Sequence, residues 1–166
     1  TILPSAADNA GEQVKTPGGE ELYLDCNADD PLAAFVFKTV TDPFVGKMSY
    51  VKVVAGKLAA SSTPTNVRAG VPERMGKLVT IRGKKQEDTD YIGAGDIGVI
   101  CKLAEAVTGD SICDPKRLVL FEKAPFPKPS LTMAIQLKGK GDEGKIAQAL
   151  LRLMEEDPAI AFENNT

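Results

Sequence analysis

Alternating apolar and polar residues are most regular between residues 31 and 58, where they predict two long strands. The first strand, near residues 32–40, is rich in β-branched and aromatic residues. In the second, near residues 47–54, successive side chains point to opposite faces, so one face can cover a core. Residues 41–46 contain Asp, Pro and Gly, which favour a tight turn. This stretch therefore predicts a long β-hairpin.

Short apolar segments separated by turns continue to residue 121. Strands are expected near residues 65–68, 73–82, 97–101 and 116–121, whereas residues 84–91 read as a polar loop. No helical period is present, and closely spaced short strands are typical of sandwiches and barrels. Residues 31–123 are therefore predicted to form a mainly β domain, a closed barrel of six or more strands.

The segments before and after this domain differ from it. Residues 1–30 are acidic and rich in turn residues, which predicts a linker or the tail of a preceding domain, with one short strand near residues 21–26. Residues 124–129 contain three prolines, which remove backbone donors and end regular structure. We expect a hinge and a domain boundary there.

Residues 130–166 contain both strand-like alternation and helical spacing of apolar residues. Residues 131–137 alternate as a strand does, and residues 159–162 predict another strand. Between them, apolar side chains recur at helical spacing, with Asp142 as the expected N-cap and Pro158 after the end. A β-α-β unit of this length is half of a ferredoxin-like domain. We therefore expect a truncated ferredoxin-like domain over residues 130–166.

The formal net charge of −3 is unevenly distributed along the chain. Residues 1–30 carry −6, residues 31–121 carry +4, and residues 122–166 carry −1. A basic middle segment is compatible with a phosphate-rich partner. No apolar run approaches the roughly 20 residues that a membrane helix needs, and no signal segment is present at the start. Because the chain begins with Thr1, we expect a fragment of a longer protein. Three cysteines, an odd number, are typical of free thiols in a cytoplasmic protein.

Self-contained catalysis is not indicated. The chain has no histidine, so a serine–histidine triad is excluded, and the three cysteines lack zinc-site spacing. There is no phosphate-binding loop of the Gly-x-x-x-x-Gly-Lys-Ser/Thr type. Glycines 93, 95 and 98 have dinucleotide-motif spacing but lead into a strand rather than a helix. The acidic runs at residues 87–90 and 155–157 read as solvated faces. We predict no catalytic, cofactor or metal site.

Basic residues are the remaining candidates for function. Lysine and arginine at strand ends and loop tips can neutralise phosphates without reading bases. Six of them fall within eighteen residues and are our candidates for contact with a phosphate-rich partner: Arg68, Arg74, Lys77, Arg82, Lys84 and Lys85. The alternative is a solvated barrel surface decorated with charges.

Several motifs carry a resemblance to a known family. The run PLAAFVFKTVTDPFVGKMSYVKVVAGKL at residues 31–58 resembles the opening of the second domain of elongation factor G, the ribosomal translocation GTPase. Ala94-Gly95-Asp96-Ile97-Gly98 and Thr108-Gly109-Asp110-Ser111-Ile112-Cys113-Asp114 resemble later segments of the same domain. Residues 145–158, which end in Glu-Glu-Asp-Pro, resemble a helix of the third domain. The likeness extends over the whole chain in order.

The resemblance implies a non-catalytic fragment of elongation factor G that contains domain II and the first half of domain III. In that family the barrel docks on small-subunit ribosomal RNA and packs on the GTPase domain, while GTP and Mg²⁺ belong to the parent protein. The whole protein moves tRNA and mRNA through the ribosome in a GTP-dependent reaction. For this chain, the implied partners are the ribosome and the GTPase domain of the same polypeptide, with no DNA and no membrane. The resemblance makes the six basic residues named above our candidates for contact with ribosomal RNA.

Departures from the family pattern leave the subtype open. Residues 84–90 differ from the family's His-Arg-containing stretch, and residues 66–74 keep only Asn66, Glu73 and Arg74 of its usual motif. A divergent paralogue of elongation factor G is therefore compatible with the sequence. A ribosome-protection-type GTPase and an independent β-barrel binding module are the alternatives.

Overall fold

The computed structural model describes residues 3–8, 11–135 and 143–163 and is mainly β, as predicted. A short 3₁₀ helix at Ala6–Asp8 precedes the first strand, and one α-helix, α1, covers Glu143–Glu156. The strands are β1 (Glu12–Lys15), β2 (Glu21–Leu24), β3 (Ala33–Asp42), β4 (Gly46–Ala55), β5 (Lys57–Ala59), β6 (Thr65–Asn66), β7 (Val71–Pro72), β8 (Leu78–Arg82), β9 (Lys85–Thr89), β10 (Tyr91–Gly93), β11 (Ile97–Cys101), β12 (Ser111–Cys113) and β13 (Leu120–Phe121).

The long hairpin predicted at residues 31–58 is confirmed as β3 and β4, which pair antiparallel from Ala33 to Asp42. Its turn is closed by the Asp42 carboxylate, whose Oδ1 accepts hydrogen bonds from the backbone N–H groups of Val45 and Phe44, both at 2.8 Å. These two bonds lower the pKa of Asp42. Gly46 completes the turn with φ of +87°, a conformation that glycine adopts without strain.

Each strand of this hairpin contains one extra residue, Phe37 in β3 and Val54 in β4. Such bulges bend a strand and increase its twist. Val36 and Val53 precede the two bulges and are fully buried. The backbone of Val36 bonds to residues 109 and 110, and that of Val53 bonds to residues 95 and 96. The two bends allow the hairpin to curve around a core.

Eight strands form one sheet in the order β7-β6-β12-β3-β4-β11-β8-β9. The sheet curves around a cluster of buried side chains that includes Val36, Val51, Leu78, Ile100 and Ile112. The edge strands β7 and β9 do not pair with each other within the described residues, so closure of the barrel stays a prediction. The pair β5–β10 forms a separate two-stranded sheet.

The first thirty residues are more structured than the linker that we expected. Strands β1 and β2 form a hairpin, and β1 also pairs with β13 in a three-stranded sheet. Val14 and Leu24 are buried in a second cluster with Phe121. The segment therefore packs on the β domain through one buried apolar side chain from each strand, Val14 of β1 and Leu24 of β2. The domain boundaries themselves stay predictions.

Strand β9 corrects the polar loop expected at residues 84–91. It pairs with β8 along its whole length, from Lys85 opposite Arg82 to Thr89 opposite Leu78. All but the last of its side chains are exposed. An edge strand with both faces in solvent has no apolar alternation, so periodicity cannot reveal it.

The last segment forms its helix but not its two expected strands. Residues 131–135 and 159–162 are in neither strand nor helix, and Leu131, Met133 and Ile135 are exposed. A strand needs a paired neighbour, and no described strand lies beside either stretch. Helix α1 forms because its backbone hydrogen bonds are internal. The expected N-cap Asp142, and residues 136–137 of the expected strand, lie outside the described residues.

Gly56, which directly follows β4, lies close to the backbone of the segment before β3. Its φ is +74°, and an added Cβ would lie 2.6 Å from the Asp30 carbonyl oxygen and 2.7 Å from the Leu32 backbone. We expect Gly56→Ala to lower the free energy of unfolding by about 2 kcal/mol more than Gly46→Ala, because the clash adds to the backbone strain.

Gly46 is the matched control, since its φ is +87° and an added Cβ would meet nothing within 4 Å. Urea unfolding followed by circular dichroism measures both variants. Equal destabilisation of the two would contradict the close approach at Gly56.

Candidate nucleic-acid interface

The six candidate basic residues lie in three places rather than in one cluster. Arg82, Lys84 and Lys85 are at the tip of the β8–β9 hairpin. Arg74 and Lys77 precede β8, whose five residues separate Lys77 from Arg82 by about 17 Å of extended chain. Arg68 follows β6, which lies near the opposite end of the strand order from β8 and β9. Closeness in sequence therefore overstated their closeness in space.

The tip of the β8–β9 hairpin is the most basic of these places. Gly83 and Lys84 form a two-residue turn, and the φ of +63° at Gly83 is typical of a type II′ turn. Arg82 and Lys85 stand directly opposite each other. Like charges in this position repel, and no ion pair or side-chain hydrogen bond to a described residue offsets them. The tip therefore presents three exposed cations held by a defined turn.

Further down the same hairpin the charges are balanced. Lys77 Nζ lies 2.8 Å from Asp88 Oδ1, and this hydrogen bond raises the pKa of Lys77. Both side chains are largely exposed. Glu87 and Asp88 follow the basic tip along β9, so the hairpin is basic at its turn and acidic toward its base. Arg74 is exposed and has no ion pair with a described residue.

Arg68 differs from the other candidates because its guanidinium is bound within the chain. Its Nε and Nη2 donate to the two carboxylate oxygens of Asp110, at 2.6 and 2.9 Å, and Nη2 also donates to the Glu105 carbonyl oxygen at 3.0 Å. A paired, planar geometry of this kind is among the stronger charge-assisted arrangements. Arg68 thus fastens the loop before β12 to the chain that follows β6.

Asp110 is the centre of this group of hydrogen bonds and is 1% exposed. Its Oδ2 also accepts from Asn66 Nδ2 and from the Val107 backbone N–H, each at 3.0 Å. Burial alone would raise the pKa of Asp110, but the bonds from Arg68, Val107 and Asn66 outweigh it and lower the pKa below the usual value. Sequence reasoning noted Asp110 only within a Thr-Gly-Asp motif. The pairing of a buried acid with a distant arginine has no local signal.

The other groups considered from the sequence are placed where they support the fold. Glycines 93, 95 and 98 lead from β10 into β11 and not into a helix. Cys101 and Cys113 are buried, and burial raises the pKa of both thiols, that of Cys113 to about 11. Among the described residues, no three His, Cys, Asp or Glu side chains are arranged to hold a metal ion. No helix in this described part is long and apolar enough to cross a membrane.

Comparison with known proteins covers nearly the whole chain. The family model for elongation factor G domain 2 matches residues 31–115, and the model for elongation factor G domain III matches residues 126–166. A protein named elongation factor G from Pseudothermotoga lettingae is 39% identical over 95% of this chain and 23% of its own length. One from Chlamydia trachomatis serovar D is 39% identical over 98% of this chain and 24% of its own length.

A solved structure has a similar fold. A crystal structure of a protein from Thermus thermophilus superposes with a TM-score of 0.68 and 29% sequence identity, over 81% of this chain and 20% of that one. The chain thus spans about a quarter of the length of the curated relatives that it matches.

Asp110 tests whether the Arg68 site is structural. We expect Asp110→Asn to lower the free energy of unfolding at pH 7 by about 2 kcal/mol, because it weakens the charge-assisted hydrogen bonds from Arg68, whose side chain is 42% exposed. Because the pKa of Asp110 is lower in the folded state, its carboxylate stabilises the fold above the unfolded pKa. That contribution disappears as the pH falls through the folded pKa.

The difference in stability between the original chain and Asp110→Asn should therefore shrink below about pH 4. Urea titrations at several pH values measure it. Arg68→Lys is the companion variant, since it keeps the charge but not the paired geometry, and we expect an intermediate loss. A difference that is constant from pH 7 to pH 3 would contradict this account.

Proposed function

This chain belongs to the elongation factor G family of translation factors, and on that premise we propose that it is a non-catalytic, ribosome-docking part of a ribosomal translocation GTPase. In this proposal the β domain contacts small-subunit ribosomal RNA through the tip of the β8–β9 hairpin. The proposal rests on one observation: the family model for elongation factor G domain 2 matches residues 31–115, which contain this tip.

The chemistry of the tip supports contact with a phosphate backbone. Arg82, Lys84 and Lys85 are exposed and have no acidic partner among the described residues, so their charges are available to an external anion. Contacts of this kind position a protein on RNA without reading its sequence. Arg74 is a further candidate at the start of β8. Lys77 and Arg68 are weaker candidates because Asp88 and Asp110 already bind them.

GTP and Mg²⁺ do not fit the residues of this chain. The glycine turn at residues 93–98 lacks the helix N-terminus that phosphate loops use, and the sequence contains no Gly-x-x-x-x-Gly-Lys-Ser/Thr loop. We therefore assign the nucleotide, the metal and the hydrolytic step to the rest of the parent protein, and no step to this chain.

The rest of the proposal concerns the parent protein. This chain spans only about a quarter of the length of its relatives. In our proposal the remaining length includes a GTPase domain, and the β domain packs against it. GTP hydrolysis there would drive the movement of tRNA and mRNA, in the cytoplasm. Co-sedimentation of the full-length parent with ribosomes, with and without a non-hydrolysable GTP analogue, tests this part. If the parent protein does not co-sediment with ribosomes in either condition, its proposed role in translocation is wrong.

Charge reversal at the hairpin tip tests the RNA contact in the chain itself. We expect Lys84→Glu/Lys85→Glu to weaken binding to small ribosomal subunits and to reduce the slope of log affinity against log salt by about 2, since two phosphate contacts are lost. Pelleting across a potassium chloride series gives both quantities.

The matched control is Lys116→Glu/Lys128→Glu, which changes the net charge equally at exposed lysines away from the tip. The proposal requires the tip variant to lose much more affinity than this control. Equal losses would indicate a general effect of charge, and an unchanged salt slope in the tip variant would remove the tip from the interface.

A further inference from the structure

The C-terminal turn of α1 contradicts a local rule of helix stability. Residues 155–157 are Glu-Glu-Asp, and no basic residue lies in the last turn. The C-terminal end of a helix carries a partial negative charge, so acidic side chains there are unfavourable. Departures from local rules often mark positions where another contact compensates.

The structure contains such a contact at the turn end of the β3–β4 hairpin. The Thr41 backbone N–H donates a hydrogen bond to Glu156 Oε1 at 2.5 Å, and Lys47 Nζ lies 3.7 Å from Glu155 Oε1. Thr41 and Lys47 are themselves a cross-strand pair. One cross-strand pair thus binds both consecutive carboxylates of the helix end.

The contact between α1 and the hairpin lacks a buried apolar core within the described residues. The three buried apolar clusters of the described chain contain no side chain of α1. Leu151 and Leu153 are exposed, and Ile146, Leu150 and Met154 are only half-buried. The side chains of Lys47 and Glu155 are 16% and 40% exposed. Salt therefore weakens this pair, although less than it would weaken a fully exposed pair.

The segment that joins α1 to the β domain has no regular secondary structure in its described part. The described residues 122–135 are exposed, form no helix or strand, and include Pro125, Pro127 and Pro129. Docking of α1 on the hairpin is then an intramolecular event in which the connecting chain supplies a high effective concentration.

From these observations we propose that Glu155 and Glu156 form a reversible electrostatic docking contact, which holds α1 against Thr41 and Lys47 of the β3–β4 hairpin and releases it when the charges are screened or removed. The contact links the third-domain segment to the β domain at a place where bound and released arrangements are close in free energy. It does not depend on the proposed ribosome function.

Paramagnetic relaxation enhancement in the full 166-residue chain tests the proposal. A nitroxide label is attached at Gln148→Cys, on the exposed surface of α1, in a Cys26→Ser background that leaves only the buried Cys101 and Cys113. We expect strong enhancement at the amides of Thr41 and Lys47 at low salt. It should fall about threefold in Glu155→Gln/Glu156→Gln and at about 1 M salt, as the bound population decreases.

The double glutamine variant removes acids from the negative end of the helix, so helicity should be kept or increased, which circular dichroism verifies. Glu122→Gln/Glu163→Gln removes the same charge at exposed positions elsewhere and should leave the enhancement unchanged. Lys47→Glu should reduce the enhancement, and Lys47→Glu/Glu155→Lys should restore it, as expected for a direct pair.

Three results would overturn the proposal. The first is no enhancement at Thr41 and Lys47 in the original chain, which would mean that α1 is not docked. The second is an enhancement that does not change in the double glutamine variant or at high salt, which would mean that the carboxylates do not hold it. The third is failure of the charge exchange to restore a contact that Lys47→Glu has lost.

Discussion

The fold depends on two matching turns that satisfy the backbone of the long hairpin at its bulges. Residues 93–96 and 107–110 are both four-residue turns closed by a hydrogen bond from the aspartate N–H, to Gly93 and Val107 respectively. Each has a glycine at its third position, with φ of +85° or +92°, as a type II turn requires.

The two turns make the same pair of bonds to the two strands. Gly109 N–H donates to the Val36 carbonyl oxygen while Val36 N–H donates to Asp110, and Gly95 and Asp96 bond Val53 in the same way. At a bulge the strand's own ladder is interrupted, and buried peptide groups left without partners are costly. Each turn supplies those partners and starts the strand that pairs next to the hairpin. Both Gly-Asp turns therefore support the curvature of the sheet.

This constraint explains which parts of the fold could be predicted from the sequence. The β3–β4 hairpin was predicted because its alternation and its Asp-Pro-Gly turn are local. The glycines at 93, 95 and 98 were correctly predicted to lead into a strand rather than a helix. Gly95 has a positive φ, whereas a Cβ at Gly98 would lie 2.2 Å from the Ile92 side chain. Strand β9 and the strands missing from the last segment depend on neighbours, which a single sequence does not place.

The charged residues show the same limit more strongly. Arg68 and Lys84 looked equivalent in a run of basic residues, yet Arg68 is bound by a buried acid 42 positions away and Lys84 is exposed at a turn. Likewise, Glu87 is exposed on β9 while Asp88 beside it pairs with Lys77. The acids at 155 and 156 instead meet a lysine and a backbone N–H of the β3–β4 hairpin. The sequence identifies which charges exist, but only the strand order determines which of them are already neutralised. A search for an interface in a β protein should therefore begin with the charges that the fold leaves unpaired.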